Sequence, residues 1–176
     1  MAWFDGGVDV LIDEAALKKR VADLGRQISA DYQGREITVI GVLKGSIYFV
    51  TDLTRAIDNP LTLEFLGVSS YQGGTETTGE VRVTLDVTKP LADKDILVVE
   101  DIVDTGLTMK FLLDNLRARK PRSVKVCTLL EKPSRAQTRV DLDYKGFVIE
   151  DKFVVGYGLD FDEKYRNMPF IGVMKR

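Results

Sequence analysis

The chain has 176 residues, 44% of them hydrophobic and 30% charged, with a formal net charge of −2. This size and balance predict one globular domain over residues 1–176, and the charge argues against nucleic acid or an anionic membrane as partner. Histidine is absent, which excludes histidine triads and histidine metal sites, and a single cysteine, Cys127, excludes an intrachain disulfide. The opening MAWFDGGVDVLIDE has no basic segment followed by an apolar one, so we expect no secretory signal and a cytoplasmic protein.

The first half of the chain alternates predicted helices and strands. Apolar residues recur every three or four positions between Asp13 and Asp31, which predicts an amphipathic helix with Asp13 as N-cap. ITVIGVL (37–43) is uniformly apolar and predicts a strand buried on both faces. A second helix is expected after Gly45, and LTLEFLGV (61–68) predicts the next strand.

The segment SSYQGGTETTG is rich in glycine and threonine and has no apolar period, so we expect a mobile loop with a function. EVRVTLDV alternates as a half-buried strand does, and ILVVE is a further buried strand. The chain from Thr108 to Arg119 is predicted to be helical, with Phe111, Leu112 and Leu116 facing inward. SVKVCTLL is the next strand, and we expect the Cys127 thiol within it to be buried.

From Lys145 onward the chain carries short strand-like pieces separated by glycine and proline. Strands alternating with helices predict an α/β fold, a mostly parallel twisted sheet flanked by helices. The last residues, about 131–176, are expected to contribute most of a small hood over the sheet. No internal repeat or linker interrupts this pattern.

The stretch ILVVEDIVDTGLT carries the chemistry. A strand ending at Val99 would place Glu100 and Asp101 at the rim of the sheet, where ligands bind in open α/β folds. The segment 104–108 would then form the turn into a helix, whose free N–H groups bind anions. The chain has neither G-x-x-x-x-G-K-[ST] nor G-x-G-x-x-G after a strand, so another nucleotide-phosphate motif is required.

This stretch resembles the signature of the phosphoribosyltransferases that use 5-phosphoribosyl-1-pyrophosphate (PRPP), and implies their type I fold. The resemblance implies that Glu100 and Asp101 lie near the ribose hydroxyls and Mg²⁺, and that Asp104 faces N7 of a purine and handles its proton. The implied 5-phosphate contacts come from the turn, which consists of Asp104, Thr105, Gly106, Leu107 and Thr108.

Two earlier segments extend the resemblance. VLKGS is similar to the family's pyrophosphate-binding loop, so Leu43, Lys44 and Gly45 are implied to contact the leaving group. SSYQGGTETTG resembles the flexible catalytic loop, in which Ser70 and Tyr71 close over the site and exclude water.

The C-terminal third resembles the hypoxanthine-guanine members of the family, through LLEKPSR and EDKFVVGYGLDFDEKYRN. The resemblance implies that Lys132 donates to O6 of the purine, Phe153 stacks on the base, and Val154 offers backbone groups to its edge. Asp160 is implied at the purine site and near a second Mg²⁺, and Arg166 at the pyrophosphate.

The resemblance therefore implies transfer of the 5-phosphoribosyl group to N9 of hypoxanthine, and also guanine, giving IMP or GMP and pyrophosphate. Mg²⁺ is the implied cofactor, and a homo-oligomer, dimer or tetramer, is the implied assembly. A non-enzymatic regulator that senses PRPP is an alternative hypothesis from another class, although no basic patch stands out beyond RARKPRSVK. A xanthine- or adenine-preferring enzyme is the other alternative, and Lys132 disfavours adenine.

Overall fold

A computed structural model describes residues 7–70 and 81–175. The helices are α1 (Glu14–Asp31), α2 (Ile47–Ala56) and α3 (Leu107–Ala118). The strands are β1 (Val8–Ile12), β2 (Ile37–Leu43), β3 (Leu61–Ser70), β4 (Val81–Leu85), β5 (Asp95–Val103), β6 (Ser123–Glu131), β7 (Tyr144–Val148), β8 (Val154–Val155) and β9 (Ile171–Met174).

A six-stranded sheet in the order β4-β3-β2-β5-β6-β7 forms the centre of the fold. Every neighbouring pair in it is parallel except β3 and β4. Along β5 the side chains alternate between two cores. Leu97 and Val99 pack in the core that holds α1 and α2, whereas Ile96 and Val98 pack in the core that holds α3. Helices thus cover both faces, which confirms the predicted α/β class.

The two ends of the chain meet in a second, three-stranded sheet in the order β1-β9-β8, antiparallel throughout. The residues after Lys132 are divided between the sheets, because β7 pairs with β6 in the large sheet. The small sheet therefore combines an N-terminal strand with two C-terminal ones. It places Phe153, immediately before β8, beside the carboxyl ends of β5 and β6.

Local features test the sequence predictions at single residues. Asp13 caps α1, because its Oδ1 accepts a hydrogen bond of 2.7 Å from the Ala16 amide. Cys127 is fully buried, and burial raises the pKa of its thiol. The prediction that Phe111 faces inward was wrong: its side chain is 37% exposed, because α3 turns Met109 and Leu113 into the core beside Leu112 and Leu116. Among the described helices, none is long and apolar enough to cross a membrane.

Candidate active site

The strand β5 continues four residues beyond the predicted end. Its pairing with β2 stops at Val99, opposite Gly41, but its pairing with β6 continues to Val103, opposite Glu131. Glu100 and Asp101 thus lie within β5, and the prediction that the strand ends at Val99 was wrong. The physical reason is that β6 supplies backbone partners for polar residues as readily as for apolar ones. The two acids still lie beyond the last residue of β5 that pairs with β2, so the edge of β5 that faced β2 is unpaired at these positions.

Glu100 and Asp101 are buried carboxyls at this open edge, with 8% and 9% exposure. Their hydrogen-bond donors are backbone amides: Glu100 Oε1 accepts from the Asp101 amide at 3.2 Å, and Asp101 Oδ1 from the Ile102 amide at 2.9 Å. Neither forms an ion pair with another described residue. Burial raises the pKa of both carboxyls, and the neighbouring Asp101 carboxylate raises the pKa of Glu100 further. The nearest cationic influence is that of Arg166, whose charge acts against the rise in the pKa of Asp101 without forming an ion pair with it.

The loop after β2 packs directly on this acidic pair. The peptide bond between Leu43 and Lys44 is cis. Gly45 lies against Asp101, where a Cβ atom would collide with the carboxylate, so a glycine is needed for this close approach. Ser46 Oγ donates a 2.6 Å hydrogen bond to the Val42 carbonyl and closes the turn into α2. The expected pyrophosphate loop thus lies beside the expected ribose and metal acids.

The turn from β5 into α3 has the form of an anion cradle. Gly106 has φ of +79°, a left-handed conformation that suits glycine, and α3 begins at the next residue. The backbone of Thr105 is fixed, because its carbonyl accepts hydrogen bonds from the amides of Gln137 at 3.0 Å and Thr138 at 3.1 Å. A small cavity of about 90 Å³ lies at this turn, lined by Glu100, Ile102, Val103, Asp104, Thr105, Gly106, Thr108 and Met109.

A larger open cavity of about 490 Å³ adjoins the cradle, with Asp104 in the wall of both. Its lining residues are Ile102, Asp104, Lys132, Arg135, Asp151, Phe153, Val154, Leu159 and Asp160. The cavity thus brings together every residue assigned to the purine by resemblance. Lys132 is 7% exposed at the end of β6, whereas Phe153 is 56% exposed, and its ring meets Phe161 edge to face at 5.7 Å. An exposed aromatic face and a buried ammonium suit a flat, polar heterocycle.

Lys44 and Arg166, the two cations expected at the pyrophosphate, contact one carboxylate. Lys44 Nζ lies 2.9 Å from Glu163 Oε2, and Arg166 Nη2 lies 3.4 Å from the same oxygen. Arg166 also pairs with Asp160 at 2.9 Å and donates to the Gly158 carbonyl at 2.8 Å. The lysine beside it lowers the pKa of the exposed Glu163. Arg166 thus adjoins the larger cavity through Asp160, which lines it, and both cations have carboxylate partners among the described residues.

Three charged residues of the site were absent from the sequence predictions: Arg135, Asp151 and Glu163. Arg135 pairs with Asp104 and with Asp151, and Glu163 with both expected pyrophosphate cations. Their position in the sequence could have identified them as candidates, because each lies within three residues of a motif residue, in KPSR, EDKF or DEKYR. Charged loop residues next to binding residues are candidates for their counter-charges, although spacing alone does not identify the partner.

One part of the predicted site, the expected catalytic loop, stays a prediction. Ser70 ends β3, and Tyr71, with the rest of the expected catalytic loop, lies outside the described residues. Within residues 7–70 and 81–175, no group of three or more histidine, cysteine, aspartate or glutamate side chains is arranged to hold a metal. Glu100 and Asp101 supply two carboxylates, which is what Mg²⁺ takes from a protein when substrate phosphates and water supply the rest.

Comparisons with known proteins identify the family of the chain. The family model for the phosphoribosyl transferase domain matches residues 7–162. A Staphylococcus aureus (strain Mu50) protein named hypoxanthine-guanine phosphoribosyltransferase is 45% identical over 167 residues, 95% of this chain and 93% of the relative. A Listeria innocua protein named bifunctional protein TilS/HprT is 46% identical over 94% of this chain, which spans 26% of that relative's length.

Solved structures give the same result for the fold. A hypoxanthine-guanine phosphoribosyltransferase from Bacillus anthracis, with a HEPES molecule in its active site, is 48% identical with a TM-score of 0.90, covering 94% of this chain and 97% of that one. A hypoxanthine phosphoribosyltransferase from Staphylococcus aureus in an orthorhombic crystal form is 40% identical with a TM-score of 0.92, covering 99% and 97%. The large and small sheets therefore belong to a known architecture.

Proposed function

The chain belongs to the phosphoribosyltransferase family, and we propose that it is a purine salvage enzyme. It transfers the 5-phosphoribosyl group of PRPP to N9 of hypoxanthine or guanine, giving IMP or GMP and pyrophosphate. The observation that carries this proposal is the cavity shared by Asp104, Lys132 and Phe153, which adjoins the anion cradle at the start of α3. A sugar phosphate and a flat base can thus bind side by side.

The sugar phosphate side is built from β5 and its turn. The 5-phosphate binds at the amides and hydroxyls of residues 104–108, where the positive end of α3 favours an anion. Glu100 and Asp101 accept hydrogen bonds from the ribose 2′- and 3′-hydroxyls, because carboxylates that form no ion pair with a described residue have acceptor oxygens to spare. Glu100 and Asp101 would also hold Mg²⁺ when it binds with PRPP, and the ion would neutralise charge on the pyrophosphate and make it a better leaving group.

Lys132 and Phe153 select the base. The Lys132 ammonium is buried and donates to O6 of a 6-oxopurine, whereas the 6-amino group of adenine would face it donor to donor. Phe153 stacks on the ring, a contact worth about 1–3 kcal/mol in comparable aromatic platforms. Val154 lies in the same wall and offers backbone groups to the edge of the base.

Bond exchange takes place at C1′ of the ribose. The C1′–oxygen bond to pyrophosphate breaks as the C1′–N9 bond forms, and the sugar carries positive charge between these events. Asp104 accepts a hydrogen bond from N7–H of the purine, which makes N9 electron-rich, and takes the N7 proton as the C1′–N9 bond forms, so that the base of the nucleotide is neutral. The leaving pyrophosphate is received by Lys44 and Arg166, which must first separate from Glu163.

A parallel pyrophosphate-release assay tests the proposed function. The enzyme is supplied with PRPP, Mg²⁺ and one of four bases: hypoxanthine, guanine, xanthine or adenine. Rapid release with hypoxanthine and guanine, and little with adenine, is expected. No turnover with any base would contradict the proposal and favour the PRPP-sensing regulator. We further propose that the protein is cytoplasmic and homo-oligomeric.

A further inference from the structure

Arg135 takes no part in the mechanism above, yet it spans the purine cavity. It ends a short 3-10 helix, Pro133–Arg135, which directly follows Lys132. Its Nε lies 3.0 Å from Asp104 Oδ1, and its Nη1 lies 3.5 Å from Asp151 Oδ1. Both acids line the cavity. One guanidinium therefore joins the carboxylate expected at N7 to an acid on the segment that carries Phe153.

Asp151 extends this contact to the second base-recognition residue. Its Oδ1 also lies 3.7 Å from Lys132 Nζ, and the Lys132 side chain is only 8% exposed. A buried ammonium needs a counter-charge, and Asp151 is the acid within ion-pair distance among the described residues. Four charges therefore alternate around the cavity, in the order Asp104, Arg135, Asp151 and Lys132. We call these four residues the charge chain.

We infer that Arg135 is a positioning residue, which holds Asp104 directly, and Lys132 through Asp151, at the spacing that a 6-oxopurine requires. The inference rests on the proposed function. Nε and Nη1 are fixed relative to one another in one planar, charged fork, so the guanidinium can face two carboxylates at a set spacing, as a lysine ammonium on its flexible stem does less well. Removing the fork would leave both recognition groups free to move apart.

The contact between Arg135 and Asp104 holds the carboxylate in place without using its capacity to accept a hydrogen bond. Asp104 Oδ1 is buried and accepts no hydrogen bond from any described residue, although Arg135 Nε lies 3.0 Å away. The Arg135 contact therefore holds the carboxylate by charge and leaves this oxygen's hydrogen-bonding capacity unused. The Asp104 side chain as a whole is 36% exposed, so its exposed part remains available to a purine N7–H while Arg135 holds the buried oxygen.

The backbone around Arg135 is fixed on both sides. Its own amide donates to the Lys132 carbonyl at 3.2 Å, and the following amides of Gln137 and Thr138 donate to the Thr105 carbonyl. The segment from Lys132 to Thr138 thus ties the base cavity to the phosphate cradle. A side chain anchored in this way can set the distance between Asp104 and Lys132.

The test compares Arg135→Ala with Arg135→Lys and with a matched control, Arg139→Ala. Arg139 lies on the same segment but pairs with Asp141 at 3.6 Å, with both side chains more than 90% exposed. Arg135→Ala should lower kcat/KM for hypoxanthine about 10- to 100-fold, with kcat reduced and KM for hypoxanthine raised, while KM for PRPP stays within about twofold. Arg135→Lys should recover part of the loss, and Arg139→Ala should match the wild type.

A double-mutant cycle with Asp151→Asn adds a second measurement. If Arg135 acts on Lys132 through Asp151, the losses in kcat/KM of the two single variants should not multiply in the double variant. If Arg135→Ala proves poorly folded by thermal unfolding, Arg135→Lys and Asp151→Asn carry the same comparison.

Three results would overturn the inference: an Arg135→Ala enzyme as active as Arg139→Ala, a KM for PRPP that rises as much as that for hypoxanthine, or losses that multiply in the cycle. Failure of the proposed function is distinguishable from these, because the wild type itself would then turn over no base.

Discussion

The two ends of strand β5 both bury carboxylates, but within the described part of the chain one end pairs its carboxylate with arginines and the other does not. At the amino end, the Asp95 side chain is fully buried. It lies 3.1 Å from Arg122 Nη1 and 3.5 Å from Arg35 Nη1, and it accepts a 2.6 Å hydrogen bond from Ser123 Oγ. This acid has two cations and a hydroxyl, so its burial is compensated.

At the carboxyl end, Glu100 and Asp101 are nearly as inaccessible, yet their hydrogen-bond partners among the described residues are backbone amides and each other, and no lysine or arginine forms an ion pair with them. Burial raises the pKa of both. Asp95 and these two acids lie on the same strand and differ mainly in their partners. The amino end of β5 therefore contributes stability, and the contrast supports the proposal that the carboxyl end, which we call the ligand end, binds a ligand that brings hydroxyls and a cation.

The largest effect should come from Asp104, at the ligand end. Asp104→Asn keeps the shape of the side chain but cannot accept the purine proton, so kcat should fall about 10²- to 10⁴-fold while substrate binding remains. Steady-state kinetics with hypoxanthine measure this. Asp114→Asn is the matched control, because Asp114 is exposed on α3 and pairs only with Lys110 at 3.0 Å among the described residues. Near-normal turnover in Asp104→Asn would remove its assigned role.

Lys132→Ala should change specificity more than stability of the fold. Without the buried ammonium, the preference for hypoxanthine over adenine in kcat/KM should fall about 100-fold or more. Kinetics with the two bases in parallel measure the ratio. Lys145→Ala is the control, because this half-exposed lysine pairs with Glu131 at 3.2 Å, away from the base cavity. An unchanged base preference would place Lys132 outside the base site.

A substitution at the amino end of β5 should destabilise the fold without lowering the activity. Asp95→Asn removes the charge that pairs with Arg122 and Arg35, and should lower the free energy of unfolding by about 3 kcal/mol with kcat unchanged. Urea denaturation measures the loss. Asp86→Asn is the control, because Asp86 is half-exposed and its pair with Arg119 should contribute about 1 kcal/mol or less. Equal losses in the two variants would contradict the contrast.

At the ligand end, removing a carboxylate should raise the free energy of unfolding instead of lowering it. The folded pKa of Glu100 is raised above its ordinary value of 4.5, so the free energy of unfolding should fall as pH rises from about 4.5 to the folded pKa. The glutamine in Glu100→Gln cannot ionise. The variant should therefore show a weaker pH dependence, and its free energy of unfolding at pH 7 should be about 0.5–2 kcal/mol higher than that of the wild type. Urea denaturation at pH 5 and pH 7 measures it. A destabilised variant with the wild-type pH dependence would refute the assignment.

Much of the fold could be predicted from the sequence, because it depends on local patterns. The uniformly apolar 37–43 became β2 with the predicted bounds, and the period between Asp13 and Asp31 became α1. The end of β5 could not be predicted, because it depends on how far β6 continues beside it. Phe111 was misplaced because helical spacing admits more than one buried face, and packing on the sheet selects it.

Less of the site could be predicted, for a different reason. The motif residues of the base cavity were identified by resemblance, and their roles stay predictions. The counter-charges Arg135, Asp151 and Glu163 were not identified, because ion pairs between loops leave no periodic signal in the sequence. The separation between Asp95 and the Glu100–Asp101 pair, five and six positions along one strand, gave no indication that their partners differ.

The most direct test of this contrast is a ligand-induced thermal shift. Wild type and the double variant Glu100→Gln/Asp101→Asn are unfolded by heat, each with and without PRPP and Mg²⁺ together. Without ligand, the double variant should melt above the wild type. With ligand at 100 times its Kd the wild type should gain about 2.7 kcal/mol, and the variant should gain little. A double variant that melts below the wild type, yet keeps the full shift with PRPP and Mg²⁺, would contradict the account.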